Sequence, residues 1–178
     1  MDFVTPEYYQ YFLPIVFFLT IFILSGKRKS QLIILLLSSY IFFWFASGWH
    51  IILLLISTCV DWTAGSKMSI TKDEKIRKKW LIASLVTNLG LLGIFKYLDF
   101  IIESLNLVTL KLSGSLEFDT FGLILPVGIS FYTFQTMSYT IDIYRNKNKP
   151  YDNFYNFACY AAFFPQLVAG PIVRAQHF

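Results

Sequence analysis

Charged residues are scarce in this chain, at 15% of its 178 residues. A soluble domain carries about 25% charged residues, whereas here hydrophobic residues make up 56% of the sequence. Because the apolar runs are also too long and too numerous for a globular core, the composition argues against a soluble enzyme. It predicts a membrane protein that crosses the bilayer several times.

Cysteine and histidine are rare as well, with two residues of each. Cys59 and Cys159 each lie in an apolar run and form no CxxC or Cys/His spacing. The sequence therefore predicts no metal site, and we interpret both cysteines as buried small hydrophobic residues. His50 is interpreted as an interfacial residue at a predicted turn, and His177 as a surface or loop residue.

The first ten residues contain two acidic residues, Asp2 and Glu7, and no basic residue. They lack the positively charged segment with which a cleavable signal peptide begins. The first apolar run is therefore predicted to be a retained membrane helix.

Basic residues are few outside three short clusters. Twelve of the fifteen Lys and Arg residues lie at 27–29, 67–79 and 145–149. Each cluster is next to an apolar run, as the positive-inside rule predicts for cytoplasmic loops. This distribution accounts for the net charge of +4 without a nucleic-acid partner.

Six apolar runs are candidate membrane segments, since a spanning helix needs about 20 residues. They are Tyr8–Leu24, Gln31–Ala46, Trp49–Trp62, Trp80–Ile102, Phe121–Tyr144 and Phe154–Val173. The second and third are short, but a single helix over both would be about 48 Å long, against a hydrocarbon core of about 30 Å. It would also place the first two basic clusters on opposite sides of the membrane. Two short helices joined at Ala46-Ser47-Gly48 avoid both problems.

The sequence thus predicts an all-α polytopic membrane protein with about five spanning helices. The N-terminus is predicted to lie outside and the three basic clusters inside. The sixth run contains Pro165, Gly170 and Pro171, so it is predicted to be broken, and it either spans, bends or re-enters. No internal repeat or long linker divides the chain, so residues 1–178 are predicted to form a single membrane domain.

The fifth run carries polar residues at helical spacing. Tyr132, Gln135, Tyr139 and Asp142 fall at i, i+3, i+7 and i+10, which places them on one helix face. Because polar groups are costly in hydrocarbon, this face is predicted to point toward protein or a cavity. For Gln135 and Asp142, cavity lining and a structural polar network both remain open. Four nearby hydroxyl residues are interpreted as interhelical hydrogen-bonding groups, namely Ser130, Thr133, Thr136 and Thr140.

A second polar motif, FFPQLVAGPIVR, lies at 163–174. It places Gln166 between apolar residues and Arg174 after a Gly-Pro break. The pattern predicts an interrupted helix whose end meets an anionic or carbonyl group. Composition alone favours Arg174 as an interfacial anchor whose charge reaches the membrane surface.

The remaining acidic residues in apolar runs are interpreted more simply. Asp61, Asp99 and Asp142 are predicted to make interface contacts near helix ends. Lys96 and Asp99 are i, i+3 neighbours and are predicted to pair.

The strongest motifs resemble a known family. LPVGISFYTFQTMSYTIDIYR at 125–145 and NFYNFACYAAFFPQLVAGPIVR at 153–174 resemble the membrane-bound O-acyltransferases, in the branch of the bacterial alginate O-acetyltransferases. The D-alanyl transfer protein of teichoic acids is a more distant relative. CVDW at 59–62 and NLGLLGIFKY at 88–97 are similar to the same branch. Together these motifs cover nearly the whole chain, as the N-terminal part of a longer domain.

The resemblance implies an enzyme of the inner membrane that transfers an acyl group, by expectation acetyl, to a hydroxyl of an extracytoplasmic polysaccharide. It implies a thioester acyl donor, no bound cofactor, and an extracytoplasmic acyltransferase as a further candidate partner. The essential intramembrane His of the family is expected downstream of residue 178. The cavity-lining candidates here are Tyr132, Gln135, Tyr139, Asp142, Gln166 and Arg174, and residues 1–178 alone are expected to be inactive.

A different class of function is the alternative. A non-enzymatic membrane component, such as part of a transporter or an assembly partner, also explains a Gly-Pro break and a polar helix face. An inverted repeat would favour a transporter, and none is found in the six runs.

Overall fold

The computed structural model describes residues 8–23, 26, 28–112 and 118–169, and within these ranges it contains helices and no β-strand. The predicted all-α class is confirmed. A first helical segment consists of α1 (Leu13–Phe18) with π-helical turns at Tyr8–Phe12 and Leu19–Ile23. The later helices are α2 (Arg28–Ser47), α3 (Ile51–Ile70), α4 (Glu74–Leu112), α5 (Ile129–Tyr144), α6 (Phe154–Ala162) and α7 (Phe164–Ala169).

The chain reverses between α2 and α3. Gly48 has a φ of +58°, a backbone conformation that favours glycine, and a short 3₁₀ turn follows it. Leu36 of α2 packs against the same buried cluster as Leu54 of α3. A continuous helix would separate these two residues by about 27 Å. The predicted division into two short helices at Ser47 and Gly48 is therefore confirmed.

The consecutive long helices alternate in direction. Gln31 at the start of α2 donates to the carbonyl of Thr20 near the end of the first segment, at 2.9 Å. Helix α4 returns along α3 after a three-residue connection at 71–73. Helix α5 runs parallel to α3, because Ser47 precedes α3 and contacts Val127 just before α5, whereas Gly65 near the end of α3 contacts Ile143 near the end of α5. This last approach is close, since a methyl group on Gly65 would come within 2.9 Å of Ile143.

The three basic clusters lie at one end of this bundle. Arg77 donates through Nη2 to the carbonyls of Ile143 and Tyr144, at 3.0 and 2.8 Å. Arg28 and Lys29 line one cavity together with residues 151–156. At the opposite end, the carboxylate of Asp99 accepts hydrogen bonds from two backbone amides of the 118–128 segment, at 2.9 and 2.8 Å. Asp99 therefore anchors this segment, and the predicted pair with Lys96 is wrong.

Among the described residues, two helical stretches, Arg28–Ile70 and Glu74–Lys111, are long and apolar enough to cross a membrane. The turn at Gly48 divides the first of them. Helix α4 has 39 residues, about 58 Å at 1.5 Å per residue. It continues to Leu112, so the expectation that it ends near Ile102 is wrong, because hydropathy marks apolar surface and not the last helical turn.

Two other boundaries differ from the sequence prediction. Helix α5 begins at Ile129 and not at Phe121, because Gly128 has a φ of +74° and residues 118–126 are not helical. Helix α3 continues eight residues past Trp62, to Ile70. The predicted break in the sixth run lies at Phe163, two residues before Pro165, which cannot donate a helical hydrogen bond. Gly170 and Pro171 lie outside the described residues.

The two cysteines have different environments. Cys159 is buried in α6, as predicted, whereas Cys59 is exposed on α3. The expectation of two buried cysteines is therefore wrong for Cys59, because its side of α3 faces away from the other helices of the described bundle.

Candidate polar site in the helix bundle

The three central helices share a polar cluster at their common contact. Each helix contributes two side chains spaced i, i+4, and every one of the six is at most 1% exposed. We call this set the polar seam. Its members are Ser57 and Asp61 of α3, Ser84 and Asn88 of α4, and Thr136 and Thr140 of α5.

Asp61 is the centre of the polar seam. Its carboxylate accepts from Ser84 Oγ at 2.5 Å and from Asn88 Nδ2 at 2.8 and 2.9 Å. The other end of the Asn88 amide accepts from Ser57 Oγ at 2.5 Å. Hydroxyl contacts to Thr140 at 3.1 Å and Thr136 at 3.4 Å extend the network to α5. The carboxyl group thus joins α3 to α4, and the hydroxyls of Ser57 and Ser84 continue the network to α5.

These contacts correct the interpretation of Asp61 as a residue near a helix end. Helix α3 extends to Ile70, so Asp61 lies inside the helix and its side chain is completely buried. The proposed interhelical role of Thr136 and Thr140 is confirmed by their contacts with Ser57 and Ser84. A comparison of the i, i+4 polar pairs on neighbouring helices would have found the seam.

The chemistry of the polar seam is that of a structural network. Three hydrogen bonds are donated to Asp61, and no cation contacts it among the described residues. Such donors hold a carboxyl group in place and reduce the cost of removing it from water. Because all six side chains are sealed from solvent, this arrangement orients α3, α4 and α5 and offers no open surface to a substrate.

The predicted polar face of α5 is partly confirmed. Tyr132, Gln135 and Tyr139 are each 1% exposed, whereas Asp142 is only half-buried. The face packs against α6, since Gln135 Nε2 donates to the carbonyl of Tyr160 at 2.8 Å and the Tyr139 ring lies 4.4 Å from a Phe ring of that helix. The expectation that this face points toward protein holds for the first three residues.

Two polar atoms of this face have no partner within the described structure. They are the Tyr132 hydroxyl and Gln135 Oε1, both buried. A buried polar atom without a hydrogen bond is unfavourable, so each is a candidate to meet a group outside the described residues. The cavity-lining role of the α5 face stays a prediction. Gln166 is 7% exposed in α7, and Arg174 lies outside the described residues.

The described part of the chain contains one histidine. His50 lies at the predicted turn and is 5% exposed, and its interfacial position stays a prediction. Its Nδ1 lies 2.7 Å from the Ser47 carbonyl, and its ring stacks on Trp49 at 4.1 Å. His177 lies outside the described residues, and within them no group of three His, Cys, Asp or Glu side chains could hold a metal ion.

Known proteins are similar to this chain over nearly its whole length. A protein named as a probable alginate O-acetylase from Pseudomonas aeruginosa is 36% identical over 167 residues, which is 92% of this chain and 31% of that protein. The peptidoglycan O-acetyltransferase of Helicobacter pylori is 34% identical over an alignment 197 positions long, gaps included. The alignment covers 96% of this chain and 36% of that protein. These relatives are membrane-bound O-acyltransferases, and this chain is similar to them over most of its length. It spans about a third of the length of these relatives.

The similarity to these relatives confirms the resemblance found in the motifs at 125–145 and 153–174. No family model matches the chain. No solved structure matches it either.

Proposed function

We propose that this chain forms part of an O-acetyltransferase that moves an acetyl group to a hydroxyl of an extracytoplasmic polysaccharide. The observation that carries the proposal is the identity of 34–36% with proteins named as alginate and peptidoglycan O-acetyltransferases, over 92–96% of this chain. Both names describe the O-acetylation of a carbohydrate polymer. The proposed donor is a thioester, and an extracytoplasmic acyltransferase is a proposed partner.

The described residues have a supporting role in this reaction. A hydroxyl is a weak nucleophile at its own pKa, and a general base such as His activates it for attack on an acyl carbon. His50 is not placed to serve as this base, because its ring is buried and stacked on Trp49. The polar seam and the α5–α6 contact instead hold the helices that form one wall of the site.

The proposal is tested by complementation of a strain that lacks its own transferase. The full-length protein is expected to restore base-labile acetate on an envelope polysaccharide, whereas residues 1–178 alone are expected to restore none. Released acetate is measured by mass spectrometry, and immunoblots confirm that both proteins reach the membrane. Absence of acetate with abundant full-length protein would contradict the proposed activity and favour a transporter part or assembly partner. Acetylation by residues 1–178 would contradict a downstream base.

The proposed location is the inner membrane, with five crossings and the N-terminus outside. Alternation of the long helices and the three basic clusters at one end of the bundle support this topology. Because α2 and α3 are separate helices of 20 residues, each is long enough for one crossing of about 30 Å.

The topology predicts where single cysteines are labelled in intact cells. In full-length protein with every native cysteine replaced by Ala, Cys59 and Cys159 among them, a cysteine at Asp119 is expected to react with an impermeant maleimide. Cysteines at Lys72 and Lys149 are expected to react only after permeabilisation, since both lie at the basic end. Labelling of Lys72 and Lys149 from opposite sides would refute the five-crossing arrangement.

A further inference from the structure

A polar cavity of about 550 Å³ lies at the basic end of the bundle. It opens between the connection from α3 to α4 and the segment that follows α5. We call it the basic cavity. Its lining residues are Met68, Ser69, Thr71, Lys72, Arg77, Ile143, Asn146, Lys147, Asn148, Lys149 and Pro150.

The charge of the basic cavity is of one sign. Four of its lining residues carry a positive charge, namely Lys72, Arg77, Lys147 and Lys149, and none of the described lining residues is acidic. The nearby Asp73 does not line the cavity. Its carboxylate accepts a hydrogen bond from the backbone amide of Lys75, at 2.8 Å, in the first turn of α4. The positive-inside rule accounts for cations at this end, but it does not require them to surround one concave space.

Arg77 holds a fixed position in the wall of this cavity. Its Nη2 donates to the carbonyls of Ile143 and Tyr144 and to Asn146 Oδ1 at 2.7 Å. The guanidinium also lies over the Tyr144 ring, 5.6 Å from its centroid. The side chain thereby satisfies carbonyls at the end of α5, and the cation is held in place before any ligand arrives.

Two buried donors of the lining remain without a partner in the described structure. They are Arg77 Nε and Asn148 Nδ2. Buried N–H groups are rarely left unpaired, so each calls for an acceptor. An anion with several oxygen atoms supplies acceptors and also carries the charge opposite to that of Lys72 and Lys149.

We propose that the basic cavity binds a phosphate group. A phosphate fits because its oxygens accept from Arg77 and Asn148 while Lys72 and Lys149 neutralise its charge. The group belongs either to the headgroup of an anionic phospholipid at the membrane surface or to a soluble phosphate compound. Both sources present the same chemistry to the cavity, and this binding is independent of the proposed acetyl transfer.

The test measures the melting temperature of the purified full-length protein against ligand concentration. One arm adds inorganic phosphate, with chloride at equal ionic strength as its reference. The other adds phosphatidic acid in mixed micelles, with phosphatidylcholine as its reference. We expect the melting temperature to rise and to saturate as the concentration of at least one of the two phosphate ligands increases. A response to inorganic phosphate alone identifies a soluble ligand, and a response to phosphatidic acid alone identifies a headgroup.

Matched variants distinguish the basic cavity from general positive charge. The double variant Lys72→Gln/Lys149→Gln is expected to weaken the apparent affinity by about tenfold or more, since each charged hydrogen bond is worth about a factor of ten. Asn148→Ala is expected to weaken it several-fold without any change of charge. The control Lys96→Gln/Lys111→Gln removes two exposed lysines of α4 outside the cavity and is expected to bind as the unmodified protein does.

Two results would overturn the proposal. One is the absence of a saturable response to both phosphate ligands in a protein that melts cooperatively. The other is an equal loss of affinity in the cavity variant and in the Lys96/Lys111 control, which would reduce the effect to net charge. Both lysines of the cavity variant are exposed, so its melting temperature without ligand is expected to match that of the control.

Discussion

Asp61→Leu is expected to remove most of the folded full-length protein from the membrane. The substitution takes the Asp61 acceptor away from Ser84 Oγ and from one N–H of Asn88, in a space sealed from water. The Thr140 hydroxyl and the Ser84 carbonyl remain as their other contacts. Single hydrogen bonds between membrane helices average only about 0.6 kcal/mol. Here one change removes three bonds and leaves one buried N–H of Asn88 unpaired, which by itself costs about 1–3 kcal/mol. The summed loss is therefore a large part of a total stability of about 5–15 kcal/mol.

Asp61→Asn is expected to be much milder. The amide oxygen can take the position of Oδ1, which accepts from both Ser84 and Asn88. At the position of Oδ2, the new NH₂ group faces Asn88 Nδ2, which is also a donor. This unfavourable pair costs about 1–2 kcal/mol. Asp152→Leu makes the same chemical change as Asp61→Leu at an exposed position, and it is expected to change little.

The measurement is the amount of monodisperse protein after detergent extraction, followed by the free energy of unfolding of each variant. A double-mutant cycle with Asn88→Leu then tests the contact itself. Because the second substitution removes the donor that the first left unpaired, the two losses are expected to be less than additive by about 1 kcal/mol or more. Normal abundance and stability of Asp61→Leu would show that the polar seam does not hold α3, α4 and α5 together.

The path of the chain was predictable from its sequence because the decisive signals are local. Apolar runs mark helices, and the basic clusters require the helices between them to return to the same end. This reasoning divides residues 31–62 at Ala46-Ser47-Gly48. In the structure, Gly48 has a φ of +58° and begins the turn between α2 and α3. The structure confirms the reversal and brings Arg77 within hydrogen-bond distance of the segment after α5.

Helix ends were less predictable, for a physical reason. Hydropathy reports which residues tolerate lipid, whereas a helix ends where its backbone changes direction or loses its hydrogen bonds. Helix α4 thus passes Ile102 without interruption. Helix α5 starts eight residues later than the apolar run, because the backbone at Gly128 is left-handed.

The polar seam was missed because each helix was analysed alone. On α3 by itself, Asp61 is one acidic residue near the end of an apolar run. Its role follows only when α3 and α4 are aligned in opposite directions, so that the pair Ser57/Asp61 meets the pair Ser84/Asn88. The relative rotation of two helices depends on packing over their whole length, and a single sequence gives no direct measure of it.

Gln135 connects this scaffold to the proposed reaction. Its Nε2 donates to the carbonyl of Tyr160, one of the last four carbonyls of α6, which have no partner inside that helix. Its Oε1 is buried and unpaired within the described structure. The residue thus combines a structural bond with a free acceptor, next to the break between α6 and α7.

Gln135→Leu in the full-length protein is expected to lower acetyl transfer while the protein remains inserted and abundant. Leucine keeps most of the volume but removes both hydrogen-bonding atoms, and a small shift of the site wall suffices to reduce turnover by about tenfold to a hundredfold. Gln135→Ala is expected to act in the same direction. Phe134→Leu is the control, because this neighbour on α5 is 48% exposed and its conservative exchange is expected to leave transfer unchanged.

Acetate released from the polysaccharide, divided by the amount of protein in the membrane, separates the two roles of Gln135. A selective fall in this ratio, with normal abundance, supports an acceptor that faces the reaction cavity. Full activity of both Gln135 variants would refute the cavity role. If both Gln135 variants are instead lost from the membrane, Gln135 serves the α5–α6 contact alone. Loss of its bond to the Tyr160 carbonyl would then account for the fall in acetyl transfer.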